Sequence, residues 1–178
     1  MIKIVVVSLA LTTACAFAQK KSIAASLGKG DEIKSPDGKT TCFVDYSARD
    51  WNEVKIRFSD GKVQTIWKSV RSVGVSWSPH SEYLAVEDYL DRIATAVLVF
   101  RLNGAKETAD LIYQTPYSNS VFVQYRALSW VGGEHAIEIG ESDPHAHNIS
   151  KEVVSLIDRK PISETIYCGQ KNNRDSGE

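Results

Sequence analysis

Val75-Ser76-Trp77-Ser78-Pro79-His80-Ser81-Glu82-Tyr83-Leu84-Ala85-Val86 decides how the rest of the chain is read. Val75 to Trp77 is β-prone, Ser78-Pro79-His80-Ser81 has the composition of a tight turn, and Tyr83 onward is β-prone again. Earlier in the chain, Ser35-Pro36-Asp37-Gly38 presents the same kind of turn. Proline presets φ at its second position, aspartate bonds back to the backbone, and glycine accepts the left-handed exit. Thr41 to Tyr46 follows as a strand. Val54, Ile56 and Phe58 then alternate with Lys55, Arg57 and Ser59, the period-two pattern of a half-buried strand. Asp60-Gly61 predicts a two-residue hairpin, with Val63 to Lys68 as the returning strand.

The same order recurs. After the turn at Pro79 come strands over 83–89 and 95–102, a hairpin at Asn103-Gly104 and a strand over 110–114. Pro36 to Pro79 is 43 residues, and Asp60 to Asn103 is also 43. Two markers with one offset indicate an internal repeat. A third, looser copy begins at Tyr125 to Trp130, with Val131-Gly132-Gly133-Glu134 in place of the proline turn and strands over 135–140, 151–158 and 162–168. Trp77 to Trp130 is 53 residues, and the extra length falls around Thr115 to Val123, where Pro116 and Asn119 mark a long loop. The predicted fold is therefore all-β: three consecutive four-stranded antiparallel meanders over 33–168, about twelve strands in all, with no helical period of 3.6.

Ser35-Pro36-Asp37-Gly38-Lys39 and the 75–86 stretch resemble the TolB-type WD40-like (PD40) β-propeller repeat. Its hallmark is a strand ending Trp/Phe-Ser, then Pro-Asp-Gly-Lys, then a strand beginning aromatic-Leu-Ala. The resemblance implies a propeller-like architecture and, since such repeats serve as scaffolds and adaptors, binding rather than catalysis. The second copy departs from it by carrying His80-Ser81 where the family has Asp-Gly. Three blades leave the two end faces uncovered. Two chains could close a six-bladed ring, one chain could curl into a small barrel or stacked sandwich, or another protein could cover the faces.

The N-terminus predicts export. Lys3 precedes an apolar run from Ile4 to Ala16, and Ala16-Phe17-Ala18 suits cleavage before Gln19, giving a signal peptide over 1–18. Cys15 raises a lipoprotein signal as the alternative, against which Thr12 stands where a leucine is expected. Residues 19–32 read as a flexible lead-in and 169–178 as a disordered tail. The mature chain keeps 20 basic and 22 acidic residues, with no basic stripe for nucleic acid and no further apolar segment for a membrane. Periplasm or extracellular space is the expected location, with a protein partner or self-association and no cofactor.

Candidate chemistry is sparse. Glu141, Asp143, His145 and His147 share one face if the segment is extended, and a His-x-His pair beside carboxylates suits zinc. That motif supports the alternative function, a small secreted metal-dependent enzyme; Pro144 and a simple polar loop stand against it. Glu87, Asp88, Asp91 and Arg92 read as a charged turn. Trp77 and Trp130 read as core, and Trp51, in Arg49-Asp50-Trp51-Asn52, as the aromatic most open to a ligand. Cys42 and Cys168 either pair as a disulfide, which an exported protein would keep, or stay as buried thiols. No Gly-x-Ser-x-Gly elbow exists for nucleophilic catalysis.

Overall fold

The computed structural model describes residues 23–89, 95–116, 124–143, 148–158 and 160–168. The expectations for the signal peptide, for Asp91, Arg92, His145 and His147, and for the tail fall outside the described residues. Within them the chain is all-β, without an α-helix.

The first sheet is β2 (Glu32–Lys34), β3 (Thr41–Asp45), β4 (Asn52–Arg57) and β5 (Val63–Ser69), each antiparallel to the next. Cys42, Val44, Val54 and Ile56 are buried, whereas Phe43, Asp45, Glu53, Lys55 and Arg57 alternate with them on the other face. Alternation in the sequence has become one dry face and one wet face.

The second sheet has nine strands and is strongly curled, like half a barrel. Its first part runs through β6 (Val73–Trp77), β7 (Tyr83–Tyr89) and β8 (Thr95–Asn103), with β9 (Thr108–Gln114) paired to β8. Its second part is β10 (Gln124–Val131), β11 (Ala136–Asp143), β12 (Asn148–Ser155) and β13 (Lys160–Cys168). Three separate sheets were expected, but the second and third strand sets share one. A parallel bridge between Gln124 and Thr95 joins β10 to β8. Thr95 makes the join, because its hydroxyl accepts from Tyr125 N–H at 2.7 Å and donates to Tyr125 C=O at 2.5 Å.

Ile23–Leu27, inside the segment read as lead-in, forms β1 and pairs with β6 over five residues. Leu27 is the side chain that anchors it, 2% exposed, while Ala24, Ala25 and Ser26 stay exposed. With Ala24, Ala25 and Ser26 at its centre, the strand shows too little alternation to be legible in sequence.

Two cores hold these layers. The larger combines Val44, Val54 and Ile56 of the first sheet with Val75, Trp77, Leu84, Val86, Leu98 and Phe100. The smaller combines Tyr83, Ala85, Val97 and Val99 with Ile137, Ile139, Val154 and Leu156. Alternate residues of β7 and β8 thus enter different cores. Burial on both faces explains why Tyr83-Leu84-Ala85-Val86 and Ala96 to Phe100 are unbroken apolar runs.

The hairpins differ in detail from expectation. Asp60-Gly61 is not a two-residue loop: Gly61 N–H bonds Phe58 C=O, Phe58 N–H bonds Lys62 C=O, and Gly61 takes φ 91°. This is a type I turn with a left-handed glycine after it, the other common use of Asp-Gly. Asn103-Gly104 opens a four-residue connection in which Glu107, at φ 52°, takes the left-handed place.

Candidate functional site

The site is built from turns. In the first, Ser35 N–H bonds Thr40 C=O, Gly38 N–H bonds Ser35 C=O, and the Ser35 hydroxyl accepts from Thr40 N–H at 3.0 Å. In the second, Ser78, Ser81 and Tyr83 make the same three bonds, again with 3.0 Å for the hydroxyl. Gly38 has φ 74°, Ser81 71° and Glu134 81°. Each stands four residues after Lys34, Trp77 or Trp130, at or next to the end of its strand.

Glycine would be the unstrained choice at all three. Ser81 and Glu134 instead carry side chains that reach the preceding turn. Asp37 N–H donates to Ser81 Oγ at 3.0 Å, and His80 N–H donates to Glu134 Oε2 at 2.8 Å. His80 Nδ1 also lies 3.3 Å from Glu134 Oε1, whose side chain is 3% exposed. The indoles follow the same rule one layer deeper. Trp77 Nε1 donates to Ile33 C=O at 3.4 Å, and Trp130 Nε1 to Ser76 Oγ at 3.1 Å. Trp130 also stacks on Tyr83, with ring centroids 6.1 Å apart.

The hairpins are tied alongside. Gln64 exchanges two hydrogen bonds with the backbone of Ala109, at 3.0 and 2.8 Å, and Lys62 Nζ donates to Lys106 C=O at 3.5 Å. Between the two turns and the two hairpins lies a cleft of about 630 Å³, within the rough 300–1,000 Å³ range of ligand pockets. Half-buried Leu102 and the core residue Phe58 lie along it; Asp37, Lys39, His80, Glu82, Arg101, Glu107 and Asp110 contribute charge or polarity. Burial opposes ionisation of Asp37, yet hydrogen bonds from Ser35, Lys39 N–H and Ser81 hold its carboxyl below the ordinary value. Glu107 is pushed up because its carboxyl hydrogen-bonds that of Asp60, and Asp60 is held down, first by Lys62 N–H.

The residues singled out in the sequence do not gather here. Trp51 is exposed at 40%, but it precedes β4 whereas the cleft's Phe58 follows it, and Lys68 Nζ covers the indole at 4.5 Å. Asp143 ends β11, and its side chain falls outside the described residues. Glu141 is half-buried in β11. Among the described residues, no group of three His, Cys, Asp or Glu is placed to hold a metal. Cys42 is a free, fully buried thiol whose pKa burial pushes up to about 12; the Cys168 side chain falls outside the described residues. Asp88 is not part of an open charged turn. It is 2% exposed and accepts from Trp67 Nε1 at 2.7 Å and Ser69 Oγ at 2.5 Å.

Sequence reasoning missed Glu134, Arg101 and Glu107. The 53-residue offset that carries Trp77 to Trp130 also carries Ser81 to Glu134, so that one was findable. A search of protein families finds none that matches the chain, and a search of curated proteins finds no match.

Proposed function

We propose that this chain is an exported binding or scaffold protein, built from three propeller-like four-stranded repeats of the TolB type and working in the cell envelope through contact with another protein. One observation carries the reading: turns 43 and 53 residues apart are bonded to one another from equivalent backbone N–H groups to side chains at equivalent positions. Each copy touches the next in the way repeat units do, and the linked turns and hairpins wall a preorganised cleft rather than a flat face. The N-terminal residues 1–18 supply the export signal in this reading.

Photo-crosslinking in intact cells tests it. A benzoylphenylalanine at Arg101, on the cleft, is expected to capture a discrete partner from the envelope fraction. The same group at Lys55, on the far face of the first sheet, is expected to capture none. Equal labelling from both positions, or recovery of the protein only from the cytoplasm with residues 1–18 attached, overturns the proposal.

A further inference from the structure

We infer that β1 seats an extended segment of a partner protein, with apolar side chains at alternate positions, which adds a strand to the second sheet. The inference rests on the binding reading above and names the form the partner takes, at a place apart from the cleft between the turns.

β1 ends the path of the second sheet and pairs with β6 alone. Ser78 N–H bonds Tyr83 C=O, so alternation turns the backbone groups of Ser76 and Gly74 toward β7, and those of Trp77, Val75 and Val73 toward β1. Facing those three stand Ile23, Ala25 and Leu27. The N–H and C=O groups of Ala24 and Ser26 therefore point away from the sheet, and no described residue bonds them. The strand is already held in place, because Leu27 is buried and its C=O accepts from the Tyr46 hydroxyl at 2.9 Å.

The other edges are blunted, as sheet edges usually are. β2 has three residues, two of them charged, and its Ile33 C=O accepts from Trp77. Along β9, Gln64 takes both backbone groups of Ala109. β5 carries Lys68 and β13 carries Pro161, and each pairs with a register shift. β1 has no charge, no proline and no register shift.

A trough of about 250 Å³ lies along it. Ala24 and Ser26 share a face with their cross-strand partners Ser76 and Gly74, and Glu87, Tyr89 and Ala127 line the trough beyond. Glu87 is already engaged: Oε1 accepts from Ala127 N–H and Oε2 from the Tyr89 hydroxyl. The trough therefore suits apolar side chains rather than a cation. Strand addition draws affinity from main-chain bonds and selectivity from pockets for alternate side chains, and β1 offers both. A second copy fits poorly. Its own Ala24 and Ser26 are too short to fill the trough, and two five-residue strands alone do not bury the roughly 1,200 Å² of a stable interface.

Fluorescence anisotropy on the mature protein with a short labelled peptide alternating valine and threonine tests the assignment. Peptide residues that bond Ala24 and Ser26 also point their side chains over the trough, and valines fill that place best. The peptide is expected to bind. N-methylation of its valines is expected to weaken binding at least about tenfold, and N-methylation of its threonines to leave it unchanged. Ser26→Pro removes an outward N–H without touching a bond to β6 and is expected to weaken binding as much, while Ser26→Ala matches the parent. Hydrogen exchange is expected to protect the Ala24 and Ser26 amides only when the peptide is bound. Equal binding of the two methylated peptides, or Ser26→Pro binding like the parent, overturns the inference; the peptide series does so with the protein itself unaltered. A dimer in light scattering that Ser26→Pro dissociates gives the edge to a second copy and overturns it too. Absence of peptide binding while Arg101 still captures a partner sinks this inference alone; failure of the crosslink as well removes both.

Discussion

At the scale of single residues, the strained positions Ser81 and Glu134 matter most. A non-glycine residue in the left-handed region costs about 1–2 kcal/mol, and each recovers it through a bond to the turn before. Gly38 carries no side chain and takes the same conformation without strain. Ser81→Ala is expected to destabilise by about 1 kcal/mol, since the strain stays and the acceptor for Asp37 N–H goes. Ser81→Gly loses the same bond but relieves the strain, so it should lie close to the parent protein. Glu134→Ala leaves His80 N–H without its acceptor and should cost about 2 kcal/mol. Urea midpoints measure all three; a Ser81→Gly midpoint as low as that of Ser81→Ala would refute the strain argument.

At the scale of elements, β7 ties the layers together. Its apolar side chains divide between two cores, and its last turn of polar residues reaches both ways. Asp88 accepts from Trp67 and Ser69 of β5, while Glu87 Oε1 accepts from Ala127 N–H of β10 at 2.8 Å. Gly74 permits this approach, since a Cβ there would stand 3.0 Å from Glu87 Oε2. Asp88→Ala orphans the Trp67 indole N–H and leaves the Ser69 hydroxyl only the Arg71 carbonyl as acceptor, and should cost about 2 kcal/mol, with Asp88→Asn costing less. Guanidinium unfolding followed by tryptophan emission reads both the loss and the changed setting of Trp67. Equal midpoints for Asp88→Ala and the parent would show that the first sheet docks through its apolar face alone. The sequence motif around Asp88 looked like a solvated turn because nothing local marks its two partners, which stand 19 and 21 residues away.

At the scale of the whole molecule, the question is how the outer faces are covered. The far face of the first sheet carries Lys55 at 2.6 Å from Asp45 and 3.1 Å from Glu53, and Arg57 at 3.0 Å from Glu32. Arg57 also lies over the Phe43 ring at 4.7 Å, as Lys68 lies over Trp51. The hydrogen bond from Lys55, with others from Ser47, holds Asp45 well below the usual carboxylate range. On β11 and β12 the face turned from the second core includes Glu138 paired with Lys151 at 3.5 Å. Charged outer faces of this kind are what the end of a repeat array presents to water, so the expectation is that one chain needs no second copy to cover them. Light scattering on the mature protein is expected to give the mass of one chain. Replacing Glu53, Lys55 and Arg57 together by leucine should uncover an apolar face and induce association. A parent protein that is already dimeric would overturn the capping account.

Local pattern was sufficient for the all-β class and for most strand positions, because strand propensity, turn chemistry and period-two burial act over a few residues. The unbroken apolar runs of β7 and β8 even marked the layer buried on both sides. Only the tertiary structure decided that β1 joins β6, that β10 joins β8, that Glu134 and Asp88 are buried acceptors, and that a charged cleft opens between the turns. Those outcomes depend on atoms many residues apart meeting at bonding distance, and a linear pattern carries no record of which distant donor an acid will face.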